Sequence, residues 1–298
     1  MNEHVVPEGT APERLDRYAL TVFAGLATVT HAYKAAKRGE LMVDGAPCRP
    51  DHRVRPGERI TFVGPARPPP PTWEMALEVA WEDDQLALVV KPAGIAVSGN
   101  QHRTLEHALR GHLAPSAAPD ALSWPRPVHR LDFRTSGLVI IAKTATARAA
   151  LGRALQEREV HKRYRALLVG RLEGEGQVDL PLDDRPCLSR WRAVAHTHSL
   201  RTEWLTTADL WPVTGRTHQL RRHTLHLGHP VLGDDRYGIE GSVLRGQGLF
   251  LQAQQICLAH PTTGAPLDVA IPELPKFEAH RAREARRWEK WRDAGAPS

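Results

Sequence analysis

The stretch "HRLDFRTSGLVIIAKT", His129 to Thr144, decides how this chain is read. It sets one carboxylate, Asp132, between Arg130 and Arg134, then runs at once into the apolar segment 137–142. A structural ion pair would need only one arginine. A carboxylate beside arginine has its charged form favoured, which makes a poor general acid but a usable nucleophile or charge stabiliser. The apolar run is a candidate buried strand. Asp132 therefore falls in the loop just before it, where rigid scaffolds commonly present catalytic groups. In isolation an Asp beside an Arg is more often an ordinary ion pair, so its surroundings must decide.

With 298 residues the chain suffices for one large domain or two ordinary ones. An apolar fraction of 41% with 25% charged residues suits a globular protein with a real core. The formal net charge of +6 favours a polyanionic partner. No stretch approaches the ~18 uninterrupted apolar residues that a membrane span needs. The first twenty residues lack the cationic start and apolar core of a secretory signal. Cys48, Cys187 and Cys257 are odd in number and far apart, which suggests neither a disulfide framework nor a zinc site and fits a cytoplasmic protein.

His196, His198, His218, His223, His226 and His229 lack the spacing of a helical zinc pair with its carboxylate, so no metal is expected. A nucleophile elbow, a P-loop and GxGxxG are all missing, leaving hydrolase, phosphotransferase and nicotinamide readings without a motif.

Four segments follow from composition and periodicity. In residues 11–63, "RLDRYALTVFAGL" and "THAYKAAKRG" read as helices, the second with Thr30 as N-cap and Gly39 as stop. "ELMVDGAPCRPDHRVRPGERITFV" then reads as short strands broken at Asp44-Gly45 and Pro56-Gly57. Lys34, Lys37 and Arg38 share a helix face, which is either simply solvated or suited to a phosphate backbone. Residues 64–73, with four consecutive prolines, read as an extended spacer.

Residues 74–276 mix strand-like runs (84–90, 137–142, 162–170, 248–260, 267–271) with helix-like ones (103–113, 146–159, 217–228). A phase shift in the 248–260 alternation predicts a bulge near Gln254-Gln255. The order does not repeat as βαβ, so an α+β sheet is expected rather than a doubly wound one. Residues 277–298 read as a charged, solvated helix or tail.

"HRLDFRTSGLVIIAKT" closely resembles the signature of the RluA family of pseudouridine synthases, HRLDxxTSGLxxxAK. "DDQLALVVKPAGIAV", "VHKRYRALLVG", "GRTHQLRRHTLHLGHPVLGDDRYG" and "LAHPTTGAPLDVAIP" resemble further family segments, in the family's order over residues 83–273. Residues 11–63 resemble the small RNA-binding domain shared with ribosomal protein S-four, with Asp44 and Glu58 where that pattern usually has Asn and Asp.

The resemblance implies an α+β catalytic domain on a mixed, mainly antiparallel sheet flanked by helices, preceded by a small α/β S-four-like domain. It implies isomerisation of uridine to pseudouridine without a cofactor. The RNA would be ribosomal, with transfer RNA as the alternative, and the protein a monomer with no DNA or membrane partner.

It puts the essential carboxylate at Asp132. Tyr164 would stack on the uracil and take the proton from the ring carbon that becomes glycosidic. Arg221 would pair with Asp132, and Arg130 would fill the gap left by a flipped uridine. His129, Lys91, Arg216 and His218 are candidates for contacts to phosphate or base edges. Arg14, Arg17, Lys34, Lys37 and Arg38 are candidates for RNA contacts from the N-terminal unit.

Phe133 and Arg134 replace the charged pair ending in an acid that many members carry, and Arg222 replaces a small apolar residue. Two other readings compete: a non-catalytic RNA-binding or ribosome-assembly protein, and a metal-dependent hydrolase using the histidines.

Overall fold

The computed structural model describes residues 3–294 apart from 24, 27, 65–71, 100, 240–241 and 245. Most of the predicted proline spacer thus lies outside the described residues.

The N-terminal unit contains β1 (Glu3–Val5), α1 (Leu15–Val22), α2 (Val29–Lys37), β2 (Leu41–Val43), β3 (Ala46–Pro47) and β4 (Arg59–Phe62). Its strands pair antiparallel in the order β1-β4-β2-β3. Leu15, Tyr18, Ala19, Ala32, Ala35, Leu41 and Ile60 build a core of its own. The N-cap of α2 is Thr28, not the expected Thr30: its side chain accepts the His31 amide, and Thr30 lies inside the helix.

The second unit is one ten-stranded sheet. Its strands are β5 (Glu78–Glu82), β6 (Leu86–Lys91), β7 (Ala121–Pro127), β8 (Ser136–Thr144), β9 (His161–Val169), β10 (Glu175–Asp179), β11 (Leu188–Ser199), β12 (Glu203–Pro212), β13 (Leu251–Ala259) and β14 (Pro266–Ala270). The main path runs β10-β11-β12-β9-β13-β8-β6-β5, with β14 on β13 and β7 on β8. Only β13–β8 is parallel; the other pairs are antiparallel. The α+β expectation holds. Helices α3 (Leu105–Leu109), α4 (Ala145–Gln156), α5 (Gln219–His226) and α6 (Pro275–Asp293) flank the sheet.

All nine residues of β8 are buried, and strand alternation divides them between two cores. Val139 and Ile141 face one cluster with Leu131, Tyr164, Leu210 and Leu220, while Leu138, Ile140 and Ala142 face another with Leu151 and Ile256. The first cluster holds the floor of the site described below. The predicted bulge occurs where β13 pairs with β9, between Ala253 and Gln255.

The structure departs from the sequence reading in the sheet and at the C-terminus: β5, β7 and β10, like β11 and β12, lie outside the strand-like runs named above. The long β11–β12 hairpin was not anticipated, because its apolar alternation is diluted by Arg190, Arg192, His196 and His198. The C-terminal segment is not merely solvated. Phe277 is fully buried against Phe250, and His198 stacks on Trp288 at 4.3 Å, which fastens α6 to β11.

The two units touch through Val22, which packs against a core of each, and through polar contacts. Arg148 on α4 pairs with Glu13 at 2.9 Å, and Arg126 on β7 donates to the Leu20 carbonyl at 3.0 Å.

The parallel contact between β8 and β13 depends on Gly137. Its φ is +114°, and an added Cβ would stand 2.2 Å from the Ala253 carbonyl oxygen. Replacing Gly137 by Ala should cost at least about 2 kcal/mol, through strain and forced separation of two central strands. Urea unfolding of Gly137→Ala measures this; wild-type stability would mean the strands can separate freely.

Candidate active site

Asp132 lies in a tight turn, its carbonyl accepting the Thr135 amide at 3.1 Å, between buried Leu131 and the first residue of β8. The turn is pinned from behind. Phe133 offers its carbonyl to the Gly94 amide at 2.8 Å and to the Lys91 ammonium at 3.4 Å. Lys91 also donates to the carbonyls of Pro92 at 2.8 Å and Ile95 at 3.0 Å. Burial pushes its pKa down to about 8, against the pull of Asp132.

Lys91 is therefore not an RNA contact as expected. It is wholly buried and clamps the Lys-Pro-x-Gly turn to the Asp132 loop. His129 is corrected likewise. Its Nε2 accepts the Ile140 amide at 3.1 Å, and burial, aided by the Lys162 cation, holds the ring well below the usual histidine range.

The carboxylate of Asp132, 22% exposed, faces a cleft whose walls include Arg130, Lys162, Tyr164, Arg216, His218 and Arg221. Of the two arginines that flank it in sequence, neither pairs with it. Arg134 reaches Asp235 at 2.5 Å, and Arg130 is exposed at the cleft. A turn sends successive side chains in different directions, so adjacency in sequence misled here. Phe133 is also exposed, at 54%.

Arg221 does approach Asp132, Nη1 to Oδ2, at 3.6 Å. Its stronger partner is Asp234, a residue the sequence reading did not single out. Nε and Nη2 grip the two carboxylate oxygens at 2.6 and 2.7 Å. Asp234 is fully buried and accepts the Arg236 and Tyr237 amides, each at 3.0 Å. Burial alone would raise its carboxyl, but Arg221 and these amides hold it below the usual carboxylate range. The fork of Arg221 is thus fixed by Asp234, which leaves its remaining nitrogen aimed at Asp132. The segment "GDDRYG" carried the only available signal, an acid beside a glycine turn.

Tyr164 on β9 is buried in the wall, and burial together with the charge of Asp132 drives its hydroxyl pKa up. His218 caps α5 in the left-handed region, φ 54°, with Nδ1 3.0 Å from the Tyr237 hydroxyl and Nε2 3.9 Å from Asp132. Its pKa is lowered by burial, against Asp132. Gln219 secures this turn, accepting the Arg216 amide at 3.0 Å and donating to the Leu188 carbonyl at 2.8 Å. Lys162, also overlooked, lines the same cleft with its pKa pushed to about 8 by burial.

Away from the cleft, Arg14 pairs with Asp16 at 2.7 Å and Arg38 with Glu40 at 2.6 Å. Arg17, Lys34 and Lys37 are exposed. Arg222, the departure from the family pattern, reaches Asp183 at 3.1 Å. His223 bonds the Leu180 carbonyl at 3.1 Å, and among the described residues no three potential ligands cluster to hold a metal.

A family model described as RNA pseudouridylate synthase matches residues 85–226. Ribosomal large subunit pseudouridine synthase D of Xanthomonas campestris is 32% identical over 91% of this chain and 89% of its own length. Dual-specificity RNA pseudouridine synthase RluA of Pasteurella multocida is 35% identical over 68% of this chain and 95% of its own. Among solved structures, human RNA Pseudouridylate Synthase Domain Containing 1 is 27% identical and superposes with a TM-score of 0.57, covering 68% of this chain and 87% of its own.

Removing one charge of the buried Arg221–Asp234 pair should destabilise strongly, because the other is left unpartnered. Asp234→Leu is expected to cost about 3 kcal/mol, Arg221→Met a comparable amount, and the double replacement Arg221→Met/Asp234→Leu far less than the sum of the two. Urea unfolding of the four proteins measures the coupling; additive effects would mean that the two side chains are independent.

Proposed function

Given that this chain belongs to the RluA family of RNA pseudouridine synthases and so isomerises uridine to pseudouridine in RNA, we propose that its target lies in large-subunit ribosomal RNA and that Asp132 is its essential carboxylate. The observation that carries the assignment of Asp132 is its place. It is a partly exposed carboxylate at the mouth of a cleft, 3.6 Å from an arginine already locked by a second, buried acid. Arg221 steadies the charge and orientation of Asp132 without hydrogen-bonding it closely, so the carboxylate is free to act on the ribose of the target.

The reaction breaks the bond from uracil N1 to the ribose, turns the base and rejoins it through C5. Asp132 acts at the sugar as the old bond breaks, and Tyr164, in the apolar wall, packs on the base while it turns. A uridine in folded RNA must first leave its stack, at a cost of a few kcal/mol. Arg130, exposed beside Asp132 and without an ion pair among the described residues, is placed to occupy the gap. No redox or metal step is needed, since atoms and electrons balance within the nucleotide.

The target class rests on the relatives. The large-subunit enzyme aligns with nearly the whole chain, whereas the dual-specificity one aligns with about two thirds. We assign residues 11–63 as an S-four-like RNA-binding domain, in which the exposed Arg17, Lys34 and Lys37 meet phosphates. This adds affinity through tethering. Arg14 and Arg38 would engage RNA only by releasing Asp16 and Glu40. The protein works as a monomer in the cytoplasm.

Tritium release from RNA labelled at uracil C5 tests both parts. Wild type is expected to release label from ribosomal RNA of a strain lacking this gene, and Asp132→Ala to fall at least about a thousand-fold, as loss of an essential nucleophile does. Release only from transfer RNA would overturn the target. Release by Asp132→Ala at the wild-type rate would overturn the mechanism.

A further inference from the structure

Pseudouridine formation needs a second catalytic event that Asp132 alone does not account for. Once C5 has bonded to the ribose C1′, that carbon carries both the sugar and its original hydrogen. Aromaticity returns only when the C5–H bond breaks: its electron pair forms C5=C6, the former C6=N1 pair moves to N1, and N1 takes a proton. A base must receive the C5 proton. On the mechanism proposed above, C5 then lies beside the carbon at which Asp132 has acted, so this base must sit within a few ångströms of the Asp132 carboxylate.

We propose that His218 is that base, with Nε2 taking the C5 proton. Its Nε2 stands 3.9 Å from Asp132 Oδ1 in the same cleft, close enough for the two groups to reach adjacent atoms of one substrate nucleotide from the same side. Its aim is built in. His218 holds a left-handed conformation, φ 54°, that costs a residue with a Cβ about 1 kcal/mol or more, and the Gln219 bonds hold that turn. Strain kept at a cleft by surrounding bonds fits a positioned ring. The hydroxyl of Tyr237 lies 3.0 Å from Nδ1, and with Nδ1–H donating to it the lone pair is on Nε2. Tyr237 is itself tied through its amide to Asp234, the residue that fixes Arg221. One buried acid therefore sets both the cation and the base around Asp132.

The other side chains near Asp132 serve less well. Arg221 stays protonated. The Tyr164 hydroxyl is kept in its neutral phenol form by burial and by Asp132, so it is a weak proton acceptor at neutral pH. The Nε2 of His129 is committed to the Ile140 amide. The charged or titratable groups facing His218 are Asp132, Arg221, Arg236, Asp234 and Tyr237; with burial they leave its pKa below the usual histidine value, so the ring is neutral near pH 7. After transfer, the imidazolium is stabilised by Asp132, restored to carboxylate, and gives its proton to water, while N1 takes one from solvent.

The experiment uses the full-length enzyme and target RNA carrying uridine, 5-deuterouridine or 5-fluorouridine at the modified position, with C-nucleoside product read by nucleoside analysis. Fluorine leaves no C5 proton to remove; the C5-linked adduct is then completed by water adding across its C6=N1 bond, hydroxyl to C6 and proton to N1, which gives a hydrated C-nucleoside without need of the C5 base. His218→Gln is expected to slow uridine turnover about 100-fold or more and to show a several-fold 5-deuterium isotope effect. Its defect with 5-fluorouridine should be at least about 30-fold smaller. The wild-type rate should rise with pH through one ionisation below about 6.5, and this limb should vanish in His218→Gln.

Equal slowing of uridine and 5-fluorouridine would make His218 a structural or binding residue and overturn the proposal. So would a wild-type rate with uridine. Failure of the wild type on both substrates, with Asp132→Ala no different, would remove the synthase mechanism itself.

Discussion

The buried pair between Arg221 and Asp234 is the interaction around which the cleft is organised. Two charges taken out of water cost several kcal/mol each, and their attraction repays this only when geometry is good and every polar atom is met. Here two direct bonds and two backbone amides meet the Asp234 oxygens. Such a pair contributes little net stability compared with apolar residues of the same volume. What it contributes is direction. Arg221 cannot swing to embrace Asp132, so the carboxylate keeps a cation at 3.6 Å and stays open to the cleft.

The same economy appears on the opposite side of Asp132. Its loop is held not by its own side chain but by the Phe133 carbonyl, gripped by Lys91 and Gly94, and by Leu131 in the core. Beneath it, Gly137 lets β8 and β13 run parallel at a separation no Cβ would permit. The Asp132 carboxylate is thus among the few side chains of its loop with no structural duty. That is what a group needs if it is to form and break contacts with substrate.

The part of this fold that was legible beforehand, β6, β8, β9, β13 and β14 with α3, α4 and α5, has local signals. The β8 run, the α4 and α5 patterns and the phase slip in β13 all report short-range periodicity, and each appears where expected. What escaped was non-local. Arg130 and Arg134 flank Asp132 in sequence, yet a single turn separates all three, and Asp235, a hundred residues on, claims Arg134. Asp234 and Lys162 were invisible as site residues, since an acid in a glycine turn and a lysine at the start of a strand have ordinary surface meanings. Lys91 and His129 were misread because sequence shows that a side chain is polar, not that three carbonyls already hold the Lys91 ammonium or that the Ile140 amide already occupies Nε2 of His129.

The cations of this chain consequently fall into two populations with different physical jobs. Arg221, Lys91 and Arg126 are buried and committed to Asp234, to backbone carbonyls and to Glu106 respectively; their energies are little screened by salt. Arg17, Lys34, Lys37 and Arg130 are exposed, and an RNA backbone would meet them through counterion release, which is steeply salt-dependent. On the function proposed above, holding on to RNA and acting on one uridine would rest on separate charges. Weakening the exposed set would then loosen binding without disturbing the alignment of Asp132, whereas a change at Asp234 would disorganise the cleft and leave the exposed cations in place. The net charge of +6 counts both populations alike and so does not distinguish them.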